Sequence, residues 1–369
     1  MPMPARSSSG DTMAEAAGRE SIVERPGYHS PQVEVAVRLN TNESPEAPSD
    51  GFMAELAEIA RALKANRYPD REARALREAI GASHGLPADH VACGNGSNEV
   101  LLCLLLAYGG PGRTAVVFEP TYALHRHIAE LSHTAVATGE RGGGFEIELE
   151  PARRLLAEHR PGLVFCCSPN NPTGNSEDEE VLAGLAEAAA PGLLVVDEAY
   201  GHLSPSSATS LFAAHENVVV VRTFSKVWAL AGLRLGYLLA DPAVVAACER
   251  TSLPYHLGTF TQAAGLAALG RSGEMEARAA RLVAERQRLA AALSSRAVES
   301  WPSAANFILF RPRHLGAKEV WEGLLARSVL VRDVSSFPRL EGCLRVTVGT
   351  REEDDAFLAA LDEVLGGAR

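Results

Sequence analysis

Short apolar runs alternate with longer Ala- and Leu-rich segments along the middle of the chain, from about residue 90 to residue 240. Several of these runs are continuously apolar rather than alternating with polar residues, which is typical of strands in a sheet covered on both faces. Helical segments between such strands indicate crossover connections in a parallel sheet. The pattern therefore predicts an α/β domain with a largely parallel sheet, whose strands lie within 114–120, 162–170, 192–200, 217–226 and 233–240.

The pattern changes beyond about residue 255. Residues 276–296 have the spacing of a long amphipathic helix, and strand-like runs follow within 306–310, 328–334 and 343–349. Thr350 and Glu353 then have the spacing of a capping box at the start of a final helix. This part of the chain predicts a smaller sheet with its own helices.

Residues 50–65 predict a helix ahead of the α/β domain, with Asp50 as its N-cap. Its predicted apolar stripe consists of Met53, Leu56, Ala60 and Leu63. Together these patterns divide the chain into four parts. They are a flexible tail (1–25), an N-terminal arm with part of the small domain (26–65), a large domain (66–250) and a small C-terminal domain (251–369).

The net charge of −11 makes a nucleic-acid or anionic-membrane partner a poor match. No apolar run reaches the roughly 18 residues that span a bilayer. The first 25 residues also lack the apolar stretch of a signal peptide. The six cysteines show no metal-ligand spacing. We therefore expect reduced thiols, no metal site and a cytoplasmic protein.

Polar groups follow several of the predicted strands, at the sheet edge where ligands bind in open α/β folds. Asp197 and Tyr200 follow one strand, and Lys226 follows another within the segment "TFSKVWALAGLRLGY". A lysine buried in such an apolar segment costs several kcal/mol unless something compensates its charge. Upstream, "CGNGSNEVLL" (93–102) is a glycine turn that opens onto a helix, and the first turn of a helix offers backbone N–H groups to an anion.

This set of groups matches pyridoxal 5′-phosphate. A lysine amine can hold the aldehyde as a Schiff base. A carboxylate against the pyridine nitrogen keeps it protonated, so that the ring acts as an electron sink. A phenol and an amide can bind the 3′ oxygen, and an arginine, hydroxyls and a helix N-terminus can neutralise the phosphate. Covalent attachment would also explain why a lysine lies in so apolar a segment.

Several motifs resemble those of the fold-type-I pyridoxal-phosphate aminotransferases, namely "SPNNPTG" (168–174), "VVDEAY" (195–200) and "RTFSKVWALAGLRLGY" (222–237). Others narrow the resemblance to the histidinol-phosphate aminotransferase branch: "LNTNESP" (39–45), "RYPD" (67–70), "GNGSNE" (94–99), "EPTY" (119–122), "PYH" (254–256) and "CLRVTVGTREE" (343–353). The resemblance covers roughly residues 25–365. It implies an α/β fold of type I, with a mixed, mostly parallel sheet in the large cofactor-binding domain and a smaller α+β domain.

The resemblance also implies roles for the matched residues. The expected catalytic residues are Lys226, which forms the Schiff base and shuttles a proton, Asp197, which pairs with the pyridine nitrogen, and Tyr200. With Asn171, Tyr200 is expected to bind the 3′ oxygen, and Tyr122 is expected to stack on the ring. Asn171–Pro172 is expected to be a cis peptide bond, as in related folds.

The remaining implied roles concern the phosphate and the substrate. The residues expected around the cofactor phosphate are Gly96, Ser97, Thr223, Ser225 and Arg234, together with Tyr68 of the partner subunit in a homodimer. Arg345 is expected to bind the substrate α-carboxylate as a bidentate fork. The far end of the substrate is expected to lie against Tyr28, Tyr255 and Arg332.

The implied reaction is transamination between L-histidinol phosphate and 2-oxoglutarate in histidine biosynthesis, by a ping-pong mechanism. Asn98 and Trp228 depart from the usual pattern in segments expected near the substrate, which leaves an aromatic (phenylalanine) aminotransferase open. A threonine-phosphate decarboxylase, with the same cofactor residues, is a further alternative. A cofactor-binding regulator fits less well because no DNA-binding module accompanies the motifs. A nicotinamide-dependent reductase fits poorly because no GxGxxG follows a first strand.

Overall fold

The computed structural model describes residues 33–367, so the predicted tail and Tyr28 lie outside the described residues. Within that range the strands are β1 (Val37–Leu39), β2 (Val91–Gly94), β3 (Thr114–Glu119), β4 (Ala135–Glu140), β5 (Leu163–Cys167), β6 (Leu193–Asp197), β7 (Val218–Thr223), β8 (Gly236–Leu239), β9 (Val298–Ser300), β10 (Phe307–Pro312), β11 (Val329–Asp333) and β12 (Leu344–Thr347). The α-helices are α1 (Asp50–Ala62), α2 (Arg74–Ser83), α3 (Ser97–Tyr108), α4 (Leu124–Leu131), α5 (Leu149–His159), α6 (Glu179–Ala189), α7 (Pro242–Thr251), α8 (Thr259–Leu269), α9 (Ser272–Ser294), α10 (Ala317–Leu325) and α11 (Arg351–Gly366). No helix of this part of the chain is both long and apolar enough to cross a membrane.

The larger sheet has seven strands in the order β2-β8-β7-β6-β5-β3-β4. Neighbours from β7 to β4 are parallel, whereas β8 is antiparallel to both β7 and β2. The predicted mixed and mostly parallel sheet is therefore confirmed. Because β5, β6 and β7 run in the same direction, their carboxyl ends lie along one edge of the sheet.

The continuous apolar run in β7 reflects burial on both faces of this sheet. Val218 and Val220 pack into one apolar cluster, whereas Val219 and Val221 pack into another, which also contains Leu101 of α3. Side chains alternate between the two faces along a strand. A strand with apolar layers on both sides therefore needs an apolar residue at every position.

The smaller sheet has five strands in the order β1-β11-β12-β10-β9. β1 is parallel to β11, and the other neighbours are antiparallel. β1 thus joins the N-terminal arm to strands from the end of the chain, and it brings the segment after Leu39 close to β12. The division into domains at 65/66 and 250/251 stays a prediction, because sheet membership does not fix domain boundaries.

Two predicted helix starts have different outcomes. Thr350 and Glu353 form the predicted capping box of α11. For α1 the predicted cap is wrong, because the Oγ of Ser49 accepts the N–H of Phe52 at 3.2 Å and Asp50 is already the first helical residue. Of the predicted apolar stripe, Leu56 is buried, whereas Met53 is 50% exposed and Phe52 is buried instead.

Candidate active site

The polar residues predicted at the strand ends meet along one edge of the larger sheet. Asp197 is the last residue of β6 and lies in register with Cys167 of β5 and Val221 of β7. Thr223 ends β7, and the turn with Asn171 follows β5. The Asn171–Pro172 peptide bond is cis, as predicted. Parallel pairing of these three strands therefore brings residues from distant parts of the sequence to one site.

The amine of Lys226 lies partly buried just beyond β7. Its Nζ donates a hydrogen bond to the carbonyl oxygen of Thr41 at 3.3 Å and lies 5.8 Å from the centre of the Tyr200 ring. Burial disfavours the ammonium form and, with the nearby charge of Arg345, lowers the pKa of Lys226 to about 8. An amine that is easily deprotonated can act as a nucleophile and can also carry a proton.

The carboxylate of Asp197 is almost fully buried and is fixed from two sides. Its Oδ1 accepts the backbone N–H of Ala199 at 3.0 Å, and its Oδ2 lies 3.0 Å from Nε2 of His125. His125 is buried in the first turn of α4 and stacks on Phe165, with ring centroids 4.9 Å apart. The sequence predicted Asp197 but not His125. Its one local signal is a position three residues after Tyr122, which is too common an arrangement to identify it.

Two glycines allow close contacts at the first turn of α3. Gly96 has φ of +79°, and a Cβ there would collide with the guanidinium group of Arg234. A Cβ at Gly236 would collide with the backbone nitrogen of Ser97. Glycine is thus required at both positions for Arg234 and β8 to approach the start of the helix. The result places a guanidinium group beside backbone N–H groups, which is an arrangement suited to an anion.

Two buried hydroxyl groups complete this cradle. Nη1 of Arg234 donates to Oγ of Ser225 at 3.2 Å, and the hydroxyl of Thr223 lies 2.9 Å from the same oxygen. The residues of this chain that were predicted to hold the cofactor phosphate are therefore grouped together. They are Gly96, Ser97, Thr223, Ser225 and Arg234. Their donors are of the kind that a phosphate group requires.

Tyr200, Asn171 and Arg345 lie together on the side of the smaller sheet. Nη1 of Arg345 donates to Oδ1 of Asn171 at 2.5 Å, and its guanidinium carbon lies 5.0 Å from the Phe307 ring centre. The ring of Tyr200 meets Phe307 edge-on at 5.1 Å, and its hydroxyl accepts a hydrogen bond from Nδ2 of Asn42 at 2.9 Å. Asn42 lies within the motif "LNTNESP" and had no predicted role.

Arg332 and Arg345 are directly opposite each other on the neighbouring antiparallel strands β11 and β12. Residues in this relation project from the same face of a sheet with their Cβ atoms about 4.5–5.5 Å apart. Like charges directly opposite each other repel. The pair therefore places two positive charges on one face of the smaller sheet.

Tyr122 lies at the site, beside the first turn of α3. Its ring meets His125 edge-on at 5.4 Å, and its hydroxyl lies 3.5 Å from Oδ1 of Asn98. Asn98 is therefore close to the site, as expected for its segment. Trp228 is not in a comparable position, because it is 7% exposed and its ring stacks on Phe224 in the core, 5.0 Å away.

Tyr68 and Tyr255 lie apart from this cluster. Their rings stack on each other with centroids 4.5 Å apart, and they are 80% and 41% exposed. Within residues 33–367 neither tyrosine has a hydrogen bond or ring contact with Lys226 or Arg234. Tyr28, also expected at the substrate, lies outside the described residues.

The chain was also compared with known protein families. The profile described as aminotransferase class I and II matches residues 34–361. The chain belongs to the class I and II aminotransferase family. The match includes both sheets and every strand-end residue described above.

The aminotransferase has close relatives of nearly equal length. It is 44% identical over 365 residues to the histidinol-phosphate aminotransferase of Frankia casuarinae, covering 95% of this chain and 90% of the relative. It is 41% identical over 367 residues to that of Corynebacterium efficiens, covering 96% of each chain. Its fold matches the crystal structure of histidinol-phosphate aminotransferase from Sinorhizobium meliloti in complex with pyridoxal-5′-phosphate, with a TM-score of 0.87, 24% identity and coverage of 96% of this chain and 100% of that one. The predicted fold-type-I class is thereby confirmed.

Proposed function

We propose that this aminotransferase catalyses transamination between L-histidinol phosphate and 2-oxoglutarate, with pyridoxal 5′-phosphate as its cofactor. The observation that carries the proposal is the pairing of Arg332 with Arg345, whose charge acts on Lys226, in a chain 41–44% identical, over nearly its full length, to histidinol-phosphate aminotransferases. A site that binds a phosphate monoester in one half-reaction and a dicarboxylate in the other needs two cations for doubly charged ligands.

The residues of the site fit this cofactor. The cradle formed with Gly96 admits a phosphate where any larger residue would collide with Arg234. Asp197 offers a buried carboxylate, and Lys226 offers an amine whose pKa is lowered to about 8. When bound, the cofactor supplies an aldehyde for the amine and a ring that withdraws electrons from the substrate carbon.

The side chains divide the work of holding the cofactor and moving protons. Asp197, held by its contact with His125, would keep a proton on the pyridine nitrogen. Tyr200 and Asn171 would bind the 3′ oxygen, and Tyr122 would lie against the ring. The Nζ of Lys226 would accept and donate the proton whose transfer transamination requires.

Substrate selection belongs to the arginine pair. Arg345 binds the α-carboxylate of glutamate and 2-oxoglutarate as a fork, oriented by its hydrogen bond to Asn171. Histidinol phosphate has a phosphorylated hydroxymethyl group in place of that carboxylate, so its binding depends on the phosphate. Arg332, directly across from Arg345, supplies the further positive charge for this group.

The molecule that we propose is a cytoplasmic homodimer. The cysteines of the described part of the chain are free, which suits a reducing compartment. The exposed stack of Tyr68 and Tyr255 suits a surface that a second copy covers, with Tyr68 of the partner subunit completing the phosphate site. Stacked aromatic rings with this exposure are common at protein interfaces.

Steady-state kinetics with two amino donors test the proposed substrate. We expect kcat/KM for histidinol phosphate to exceed that for phenylalanine by at least about a hundredfold, which is roughly 2.7 kcal/mol of transition-state binding. The variant Arg332→Ala should lower the histidinol-phosphate value by about 10- to 100-fold, the effect of losing a charge-assisted hydrogen bond of about 1.5–3 kcal/mol. Phenylalanine, which has no phosphate, should be affected much less.

Arg311→Ala is the matched control for this test. Arg311 lies on the same small sheet, but its guanidinium group is over Trp301, 5.3 Å from the ring centre, and near Glu299. We expect this variant to preserve the ratio between the two donors. Equal or better turnover of phenylalanine by the wild-type enzyme would replace the proposed substrate with an aromatic amino acid.

A further inference from the structure

The segment Asn40–Asn42, directly after β1, touches three groups of the site. Its first two residues offer carbonyl oxygens to Arg345 at 2.9 Å and to Lys226 at 3.3 Å. The side chain of Asn42 donates to the hydroxyl oxygen of Tyr200 at 2.9 Å. The first two contacts use backbone atoms that any residue possesses. The third depends on the identity of residue 42.

Asn42 is held in one conformation from several sides. It is 2% exposed and has φ of +56°, in the left-handed region that asparagine tolerates better than most residues. Its backbone N–H donates to Oγ1 of Thr347 at 3.0 Å, and its carbonyl oxygen accepts from Nδ2 of Asn306 at 3.1 Å. The side chain therefore projects toward Tyr200 from a fixed backbone.

Thr347 also decides which end of the amide faces Tyr200. Its hydroxyl oxygen accepts the backbone N–H of Asn42, and its own hydrogen is then directed at Oδ1 of Asn42, 3.1 Å away. The oxygen end of the amide is thus committed to Thr347 on β12. The amino end points at the phenol and can only donate to it.

This donor determines where the phenolic hydrogen of Tyr200 can go. A phenol has one hydrogen to donate and lone pairs to accept with. Burial raises the pKa of Tyr200, so its hydroxyl keeps that hydrogen at neutral pH. With Asn42 donating to the oxygen, the hydrogen cannot point back at residue 42 and is available to another acceptor.

We propose that Asn42 is a positioning residue that commits the hydroxyl hydrogen of Tyr200 to the 3′ oxygen of the cofactor. The inference rests on the proposed function, which assigns that oxygen to Tyr200. It adds that a residue outside the cofactor's reach sets the direction of the bond, through a contact that spans 158 positions in sequence.

The protonation of the bound cofactor reports whether Tyr200 donates a hydrogen bond to the 3′ oxygen. Negative charge on the 3′ oxygen is balanced by the proton on the nitrogen joined to Lys226, so a donor at that oxygen favours loss of this proton. Loss of the donor should therefore raise the midpoint at which the visible absorbance of the resting holoenzyme titrates with pH. Asn42→Asp keeps the size of the side chain, but a carboxylate can only accept hydrogen bonds. The hydroxyl hydrogen of Tyr200 would then turn toward residue 42 and away from the cofactor. We expect the midpoint to rise by about one unit, equivalent to about 1.4 kcal/mol.

Two further variants separate this explanation from others. A carboxylate at position 42 could also raise the midpoint through its negative charge. In that case Asn42→Asp would act equally in a Tyr200→Phe background, whereas we expect it to have almost no effect there. Asn42→Gly brings no charge and suits the positive φ. It should give a smaller rise, because the hydroxyl then points at the cofactor only part of the time.

Asn217→Asp is the matched control. Its Nδ2 donates to the carbonyl oxygens of Ala186 and Gly192, before the amino end of β7 and away from the site. It should leave the midpoint unchanged. The inference would be overturned by an unchanged midpoint in both Asn42 variants. It would also be overturned if Asn42→Asp raised the midpoint equally in the wild-type and Tyr200→Phe backgrounds. Failure of the wild-type protein to show the cofactor's absorbance would instead overturn the proposed function.

Discussion

Lys226 combines a chemical requirement with a cost in stability. Its position beyond β7 removes the amine from water, and burial lowers its pKa from the usual 10.5 to about 8. Below pH 8 the cofactor-free protein must therefore hold an ammonium group where the fold disfavours one. Between pH 8 and 10.5 the unfolded chain binds more protons at this position than the folded one, so the cost disappears as the pH rises. The same burial makes the amine reactive near neutral pH.

Lys226→Met should remove this cost in stability. We expect the variant to lack transamination but, without cofactor, to be more stable than the wild type at pH 7 by about 1–2 kcal/mol. The full shift would correspond to about 3 kcal/mol, but partial solvent access reduces it. Chemical unfolding at pH 7 and at pH 10.5 would measure the gain, which should vanish at the higher pH.

Lys318→Met is the control for this comparison, since the Lys318 side chain is 84% exposed. It should change stability by no more than about 0.5 kcal/mol at either pH. A Lys226→Met protein that is less stable than the wild type at pH 7, or that retains turnover, would contradict the assignment of Lys226.

At the scale of single residues, the sequence predicted those that lie next to a recognisable strand end, such as Asp197 and Lys226. It did not predict His125 or Asn42, which act through contacts that span 72 and 158 positions. Neither contact leaves a local pattern, because each depends on how α4 and the segment after β1 pack against the larger sheet. Trp228, in contrast, was predicted to lie near the substrate because of its position in the sequence. Its neighbours in sequence belong to the site, but its own side chain turns into the core.

At the scale of elements, the strands absent from the predicted set share a position in the fold. They are β1, β2, β4 and β9, which are the outermost strands of the two sheets. Edge strands are short or only half covered, so they need no continuous apolar run. β4, for example, is exposed at Ala135 and Thr138 and buried at Ala137. Central strands such as β6 and β7 are apolar throughout and were predicted from that pattern alone.

A buried ion pair joins the ends of β6 and β7. Nη2 of Arg222 lies 2.8 Å from Oε2 of Glu198, and the side chains are 10% and 3% exposed. Each is the chain neighbour of a site residue, Thr223 in one case and Asp197 in the other. Removal of Arg222 leaves the buried charge of Glu198 without an opposite charge, held only by hydrogen bonds from Ser207 and Ala208. We therefore expect Arg222→Met to lower the free energy of unfolding by about 3–5 kcal/mol.

The double variant Arg222→Met with Glu198→Gln should recover part of this loss, because no uncompensated charge remains. Arg327→Met provides a matched surface pair. Its partner Glu363 also lies at 2.8 Å, but the side chains are 38% and 68% exposed, so we expect a loss below about 1 kcal/mol. Equal losses at the buried and exposed pairs, measured by urea unfolding, would rule out a special role for the Arg222–Glu198 pair.

At the scale of the whole molecule, the described site contains groups for every proposed function except those assigned to Tyr68 and Tyr255 and to Tyr28, which lies outside residues 33–367. Tyr68 is 80% exposed and stacks on Tyr255, while Leu253 nearby in sequence is 75% exposed. Tyr68 lies in the motif "RYPD" and Tyr255 in "PYH", both of which resemble motifs of the family. In the proposed homodimer this surface is covered by a second copy, because symmetry places the same surface of that copy against the first.

Subunit complementation tests that arrangement directly. We expect Lys226→Ala homodimers to be inactive and Tyr68→Ala homodimers to be impaired by about 10- to 100-fold, the effect of losing a hydrogen bond to a charged phosphate. When the two variants are unfolded together and refolded in equal amounts, half of the dimers contain one copy of each. If Tyr68 acts across the interface, the Tyr68→Ala copy in such a dimer has an intact lysine and receives the unaltered tyrosine of its neighbour. One site in four is then complete, so activity should return to about one quarter of the wild-type value. If Tyr68 serves its own chain, that copy lacks its tyrosine in every dimer and no activity returns, which would refute the shared site. Sedimentation of the mixture must show dimers in either case, because an active monomer would refute the homodimer itself.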